Sequence, residues 1–205
     1  MKIWALAKKV VLFEFRIYRN LLRWVFRRPD VHGEPFGYAQ LVAPVLWLWI
    51  FGSAVETVVV HFLLPWEGMR LVADLLGIWG LIWMVGFLGG MKVYPHLLTE
   101  SALRVRHSGT VDLNLPLDAI ESIAAERQEL PSSIRKLQPL DTERGTDLRV
   151  GVSGEVNVRV TLRRPTVVHT PAGPVEVVSV RFLADDPKKL VARAKQHLAA
   201  PSGAA

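Results

Sequence analysis

The chain contains no cysteine, which excludes disulfides, thiolate metal sites and cysteine nucleophiles. The six histidines are dispersed along the chain, with no pair at metal-ligand spacing and no flanking acid motif. No glycine loop suited to cradling a phosphate occurs outside the apolar segments, and the serines lack the surroundings of a nucleophile elbow. The sequence therefore predicts no catalytic residue, no metal site and no cofactor, and we expect a protein that is not an enzyme.

Two long apolar runs, residues 41–64 and 71–94, dominate the first half of the chain. Each has about the 20 residues that cross ~30 Å of hydrocarbon as a helix. Residues 65–70 between them leave room for a tight turn and nothing more. We therefore expect residues 41–95 to form a transmembrane helical hairpin, which places the protein in the cell membrane.

Basic residues are concentrated before the hairpin. Residues 1–28 hold eight lysines and arginines against one acid, Glu14. The turn of the hairpin contains Glu67 and Arg70 and carries no net charge. Because loops rich in lysine and arginine stay on the cytoplasmic side, we expect both termini to be cytoplasmic and residues 65–70 to lie outside.

Residues 1–28 have the pattern of an amphipathic helix, with basic and apolar side chains on opposite arcs and tryptophans near the boundaries. Such a helix is typical of the membrane interface, and we expect the anionic inner leaflet to bind it. The alternative is a helix packed on the protein's own soluble domain. Binding to nucleic acid is not expected, because aromatic residues lie on the apolar side rather than among the basic ones. The expected interface residues are Lys2, Trp4, Lys8, Lys9, Arg16, Arg19, Arg23, Trp24 and Arg27.

Three ionisable residues lie inside or at the edge of the apolar runs: Glu56, His61 and Asp74. Ionisable groups are costly in lipid and are functional candidates for that reason. In an antiparallel hairpin His61 and Asp74 have equal depth, so we expect them to pair, as a structural lock or as a proton relay. Glu56 lies deeper, opposite Gly80 and without a basic partner, so it is either protonated or faces another protein. The Gly86-x-x-x-Gly90 motif predicts close packing, within the hairpin or in a homodimer.

From residue 97 onward the apolar period changes to two, which is typical of half-buried antiparallel strands. A one-residue change of phase between Val177 and Val178 predicts a β-bulge. An amphipathic helix then closes the chain, with Asp186 as its cap and Pro187 in its first position. Residues 128–147 have little periodicity, and we expect an ordinary long connection, a partner-binding loop or a short extra element there.

A resemblance to a known family rests on three segments: YPHLLT at 94–99, ALRV at 102–105 with Gly109, and LPLDAIESI at 115–123. The segment FLADDP at 182–187 and the helix after it complete the pattern. These segments resemble the opening and the close of bacterial PH-like domains that follow paired membrane helices. The resemblance covers residues 41–199, implies a PH-like β-barrel or sandwich closed by a helix, and implies no activity.

The expected fold is thus membrane α plus soluble α+β, in five parts. These are an interfacial helix at 1–28, a turn or linker at 29–40, the hairpin at 41–95, a cytoplasmic PH-like domain at 96–199 and a disordered tail at 200–205. Outward strand positions carry arginines that either contact lipid headgroups or a partner, or form a solvated face: Arg104, Arg106, Arg159, Arg163 and Arg164.

Two functions remain open from the sequence. The first is a membrane-tethered binding or scaffold module that recruits a protein partner. The second is an accessory subunit of a membrane enzyme or transporter, into which Glu56 and the hairpin pack. In either case we expect the lipid bilayer, a protein partner or a second copy of the chain as binding partners, and no nucleic acid.

Overall fold

A computed structural model of the chain describes residues 2–27, 30–131 and 136–199, with side chains from residue 11 onward in the first helix. The chain divides into two compact units. Met1–Pro29 and Val42–Val93 form the first unit, and Asp30–Leu41 and Tyr94–Ala205 form the second. The expected tail at 200–205 lies outside the described residues, as do Arg28 and Ile134.

The first unit consists of three helices: α1 (Lys2–Val25), α2 (Ala43–Leu63) and α3 (Glu67–Val93). Pro44 lies in the first turn of α2, where its missing N–H costs no hydrogen bond. Pro65 and Pro95 follow the ends of α2 and α3, since neither can continue a helix. Both α2 and α3 are long and apolar enough to cross a membrane. Two long apolar helices joined by a short turn are thus confirmed, and α3 begins within the predicted turn at Glu67.

α1 and α2 pack on opposite faces of α3. A Cβ added to Gly86 would lie 2.6 Å from Cγ2 of Ile17 in α1, whereas one added to Gly77 would lie 2.5 Å from Oγ1 of Thr57 in α2. These two glycines are about two and a half helical turns apart, which places them on opposite sides of α3. A Cβ on Gly90 would lie 2.7 Å from Nδ2 of Asn20. The close packing expected at the Gly86-x-x-x-Gly90 motif is thus confirmed, but its partner is α1, which the sequence analysis did not name.

The second unit contains nine strands in its described residues: β1 (Glu34–Phe36), β2 (His96–Leu98), β3 (Ala102–His107), β4 (Val111–Pro116), β5 (Ile120–Glu129), β6 (Leu137–Thr142), β7 (Gly145–Val150), β8 (Glu155–Thr170) and β9 (Gly173–Phe182). They form a four-stranded sheet in the order β1-β2-β3-β4 and a five-stranded sheet in the order β5-β8-β9-β7-β6. All described pairs are antiparallel except β7 with β9. The expected helix-plus-sheet architecture is confirmed at this coarse level.

The apolar phases of the strands form one core. Leu103 and Val105 of β3, Val158 and Val160 of β8 and Phe182 of β9 belong to the same buried cluster. α4 (Pro187–Ala199) adds Leu190, Val191 and Ala194 to this cluster. The backbone N–H of Lys189 donates to Oδ1 of Asp186 over 2.9 Å, so the predicted cap is confirmed.

Residues 30–41 are part of the second unit rather than a linker. Glu34 pairs with Leu98, and Phe36 with His96, so β1 is the edge strand of the four-stranded sheet. Phe36 and Tyr38 are buried. The hydroxyl of Tyr38 accepts a 2.7 Å hydrogen bond from the backbone N–H of Ser108. The predicted boundary at residue 96 therefore omits a strand of the sheet.

Residues 128–147 are mostly strand rather than loop. β5 extends to Glu129, and β6 and β7 form a hairpin in which Leu140 pairs with Asp147. The possibility of an extra element is thus the correct one for Leu137 and Leu140. The short segment between β5 and β6 is described only at residues 130, 131 and 136.

Candidate functional site

A polar cleft of about 560 Å³ lies on the five-stranded sheet of the second unit. β8 and β9 provide its floor, and the turn between β6 and β7 provides part of its wall. Val158, Val160 and Val180 of these strands point into the core, so the alternate positions Arg159, Ser179 and Arg181 point into the cleft. The cleft is lined by Glu121, Thr142, Glu143, Arg144, Asp147, Arg159, Thr161, Leu162, Arg163, Arg164, Pro165, Val178, Ser179 and Arg181.

A β-bulge places two of these arginines. Thr161 pairs with Ser179, and the next pair along the ladder is Thr166 with Val177, so β8 holds the extra residues. Pro165 has no N–H to offer the ladder, which suits this irregular stretch. The predicted bulge is confirmed at this level of the sheet, although its extra residues belong to β8 rather than to β9. Its consequence is that Arg163 and Arg164 leave the ladder and line the cleft.

The floor of the cleft is held by hydrogen bonds around Asp147, whose residue is 3% exposed. Its Oδ1 accepts from Oγ of Ser179 over 2.6 Å, and its Oδ2 accepts from Nε of Arg149 and Nε of Arg181, each over 3.1 Å. The side chains of Arg149 and Arg181 are 9% and 12% exposed, so both guanidinium groups bond to the Asp147 carboxylate largely out of contact with water. Such charge-assisted bonds fix the planar guanidinium groups in one orientation.

Arg181 connects this floor to the edge of the sheet. Its Nη1 donates to Oε1 of Glu126 over 2.9 Å and to Oε1 of Gln128 over 2.8 Å. This hydrogen bond from Arg181 lowers the pKa of the Glu126 carboxyl, with a smaller contribution from the charge of Arg159. Glu126 is therefore ionised at neutral pH and holds Arg181 in place.

Three further arginines of the cleft are exposed: Arg144 in the β6–β7 turn, and Arg163 and Arg164 in the bulge. Within the described part of the chain, none of the three has a hydrogen bond or an ion pair. The cleft thus combines oriented arginines at its floor with exposed arginines at its rim. Arginine presents a planar fork of donors that matches the oxygens of a phosphate group.

The structure separates the arginines that the sequence grouped together. Arg159, Arg163 and Arg164 line the cleft. Arg104 lies on the other sheet and pairs with the carboxylate of Asp112. Arg106 was expected to point outward, and this was wrong, because it is 1% exposed. The sequence analysis missed Arg144 and Arg181, and the alternation of Ser179 and Arg181 with the core residues of β9 was the available signal for Arg181.

In the first unit His61 and Asp74 form the expected pair, with 2.8 Å between Nδ1 and Oδ2. Glu56 lies in a separate notch of about 310 Å³ between α2 and α3, together with Ser53, Thr57, Gly77 and Gly80. Its position opposite Gly80 is as expected. No partner of Glu56 occurs among the residues that the structure describes.

α1 lies along α3 in the same direction. Phe13 is next to Trp83, with 6.2 Å between ring centroids, and Ile17 is next to Gly86 and Asn20 next to Gly90. Part of its apolar face therefore contacts α3, which neither interpretation of this helix anticipated. Arg19 and Arg27 are exposed and Arg16, Arg23 and Trp24 half-buried, whereas the side chains of Lys2, Trp4, Lys8 and Lys9 lie outside the described part.

Comparisons of the sequence with protein-family models and with curated proteins, and of the fold with solved structures, give no match, so the functional argument rests on these residues.

Proposed function

We propose that the protein is a membrane-anchored binding module whose cytoplasmic domain binds a phosphate-bearing ligand in the arginine cleft. α2 and α3 are the anchor, and the charge distribution of the chain supports a cytoplasmic second unit with residues 65–70 outside. Exposed aromatic and aliphatic side chains along α2, among them Trp47, Trp49 and Phe51, support burial of this helix in lipid. Arg27 follows α1, whose last turns lie beside the end of α3 with Asn20 next to Gly90, and its exposure supports contact with anionic headgroups there.

The single observation that carries the proposal is the arrangement of five arginines around one cleft: Arg144, Arg159, Arg163, Arg164 and Arg181. Bidentate bonds to phosphate oxygens need guanidinium groups of fixed orientation. The Asp147–Arg181–Glu126 chain of hydrogen bonds supplies that orientation at the floor. The rim arginines add charge that draws an anion into the cleft.

The two sheets and the closing helix α4 support the resemblance to bacterial PH-like domains. On this proposal the domain is PH-like, with β1 as an additional edge strand before the membrane hairpin. A fold class does not identify a ligand, so the proposed phosphate ligand follows from the residues of the cleft alone.

Binding to the cleft is tested with the full-length protein in detergent micelles. Isothermal titration calorimetry is carried out with inorganic pyrophosphate and, separately, with dioctanoyl phosphatidic acid, which distinguish a soluble phosphate from a lipid headgroup. We expect R144Q/R163Q/R164Q to weaken binding at least tenfold. The matched control K188Q/K189Q/K195Q removes the same charge from α4, and we expect it to stay within twofold of the parent protein.

Each outcome either tests whether the cleft is the binding site or identifies the class of ligand that it binds. Loss of pyrophosphate and phosphatidic acid binding together supports a phosphate site open to both, and loss of only one identifies the source of the ligand. Equal weakening in the control variant shows non-specific attraction and overturns the cleft as the site, as does absence of binding by the parent protein.

The second candidate function is an accessory subunit of a membrane enzyme or transporter. The observation that favours it is Glu56, a carboxyl group exposed in the notch between α2 and α3. Purification from membranes in a mild detergent separates the two candidates. A stable complex with another membrane protein favours the accessory subunit, whereas a monomer or homodimer favours the binding module.

A further inference from the structure

Glu56 and Arg16 are charged side chains of the first unit that lie on helices packed against α3. Glu56 of α2 is exposed and Arg16 of α1 is half-buried. Within the described residues, neither has a hydrogen bond or an ion pair. An isolated charge at membrane depth is costly, and such residues pair with an opposite charge where the structure allows it.

The contacts with α3 give the depth of both residues. Arg16 precedes Ile17, which lies beside Gly86, and Glu56 precedes Thr57, which lies beside Gly77. Their Cα atoms therefore differ in depth by about 10 Å along α3. Side chains on a helix lean towards its N-terminus. Since α1 runs in the same direction as α3 and α2 in the opposite one, the two side chains lean towards each other's depth.

Both residues also point to the same side of the three-helix layer. Each comes one position before the residue that faces α3, which turns it about 100° from that contact. Because α1 and α2 lie on opposite faces of α3 and run in opposite directions, the two turns lead to the same side. Where Ile17 and Thr57 contact α3, about the diameter of one helix separates α1 from α2, and no hydrogen bond or ion pair joins Arg16 to Glu56 in the described residues.

We propose that this side of the layer binds a second copy of the chain, in a two-fold symmetric dimer in which Arg16 of each copy pairs with Glu56 of the other. A two-fold axis along the membrane normal leaves each residue of the second copy at the same depth as in the first. The contact between Arg16 and Glu56 then occurs twice, so two ion pairs form. The proposal rests on the proposed membrane anchoring of α2 and α3. It is independent of the arginine cleft.

The surface between the two residues allows a close approach of helices. A Cβ added to Gly52 or to Gly80 would meet nothing within 4 Å, so bare backbone faces outward at both positions. Gly80 lines the notch that holds Glu56. Small residues at such positions let the backbones of membrane helices approach each other.

The dimer is tested by disulfide cross-linking, for which the absence of native cysteine is an advantage. Leu12 and Gly52 lie at about the same depth on this side of the layer. Two differently tagged copies, one with Leu12→Cys and one with Gly52→Cys, are co-expressed and oxidised in membranes. We expect a cross-linked species that carries both tags. The control is Phe51→Cys, at similar depth but turned about 100° away, and its yield with Leu12→Cys is expected to be at least tenfold lower.

Charge reversal then tests the ion pair itself. Arg16→Glu and Glu56→Arg are each expected to lower the yield of the Leu12–Gly52 cross-link at least fivefold, because like charges then face each other. The double variant is expected to recover at least half of the original yield. Arg16→Gln and Glu56→Gln keep the test valid if a reversed charge prevents insertion, and each is expected to lower the yield at least twofold.

Failure of the dimer is distinguished from failure of the anchor. The membranes are first extracted with alkaline carbonate, and release of the parent protein shows that the proposed anchoring is wrong. Retention in the membrane without the Leu12–Gly52 cross-link overturns the dimer alone. A cross-link whose yield does not change on charge reversal overturns the Arg16–Glu56 pair.

Discussion

Nη1 of Arg106 donates a 2.9 Å hydrogen bond to Oδ2 of Asp30, although 76 residues separate the two along the chain. The same guanidinium donates from Nη2 to the carbonyl oxygen of Asp30 over 2.5 Å and from Nε to the carbonyl oxygen of Pro95 over 2.8 Å. Asp30 begins the first segment of the second unit, and Pro95 lies near the start of its second segment. A single buried arginine thus joins the two segments from which this unit is built.

Replacement of Arg106 by methionine is expected to lower the free energy of unfolding by about 3 kcal/mol, because the carboxylate of Asp30 and two carbonyl groups lose their donor. Urea unfolding of the purified protein in detergent measures the change. Arg104→Met is the matched control on the same strand. Its more exposed ion pair with Asp112 is expected to contribute less than about 1 kcal/mol. Equal effects of the two substitutions would contradict the joining role of Arg106.

The buried histidines next to Tyr38 are expected to make the second unit sensitive to acid. Burial lowers the pKa of His96 from 6.5 to about 4 and the pKa of His107 to about 3. Both are neutral when folded, but in the unfolded chain they take up protons below about pH 6.5. The unfolding free energy is therefore constant with respect to these groups above pH 6.5 and falls as the pH drops towards 4. His96 alone accounts for up to about 3 kcal/mol of this fall.

The tautomer of His96 provides a direct measurement. Nε2 lies 2.8 Å from the carbonyl oxygen of Leu183, which can only accept, and Nδ1 accepts from the backbone N–H of Arg106. We expect NMR of ¹⁵N-histidine to show a neutral ring with its proton on Nε2 at pH 5. In His96→Gln the acid-dependent loss of stability should be smaller. A ring of His96 that titrates near pH 6.5 would contradict its burial.

Features that depend on residues close together in the sequence were predicted correctly, whereas features that depend on residues far apart were missed. The alternation at Val156, Val158 and Val160 and the cap at Asp186 depend on neighbouring residues, and both were predicted correctly. The burial of Arg106 was missed because alternation identifies a strand face but not what covers it. Glu34–Phe36 was missed as a strand because its partner, β2, comes after the whole hairpin. The glycines of α3 predicted a close contact without naming α1.

The packing of α1 on α3 is expected to depend on Gly86. Gly86→Leu places a side chain against Cγ2 and the carbonyl oxygen of Ile17, 2.6 and 3.0 Å from the new Cβ. Because the backbone of α1 has to move, we expect a loss of about 1–3 kcal/mol and faster trypsin cleavage after Arg19. Gly68→Leu, where a Cβ meets nothing within 4 Å, is the control. Unchanged cleavage in Gly86→Leu would show that α1 is held by other contacts.

His61 and Asp74 are expected to be coupled in stability. A double-mutant cycle of His61→Ala, Asp74→Ala and the double variant, measured by unfolding in detergent, isolates the pair. We expect a coupling free energy of about 1 kcal/mol, in the range of hydrogen bonds between membrane helices. Additive single effects would show that the 2.8 Å contact contributes no stability.

The proposed topology is expected to be visible by cysteine labelling of intact cells. Gly68→Cys, in the first turn of α3, should react with an impermeant maleimide, whereas Ser101→Cys should react only after permeabilisation. Ser101 suits this purpose because its residue is exposed, in contrast to the buried Ser108. Labelling of Ser101→Cys before permeabilisation would place the second unit outside the cell.

The edge strand β1 constrains the order in which the parts of the protein fold. During translation Glu34–Phe36 leaves the ribosome before α2 and α3, while its partner His96–Leu98 follows them. The unpaired edge thus waits through the synthesis of α2 and α3, and the four-stranded sheet is completed only after both helices have been made. Folding of this sheet is therefore a report that synthesis of the hairpin is complete.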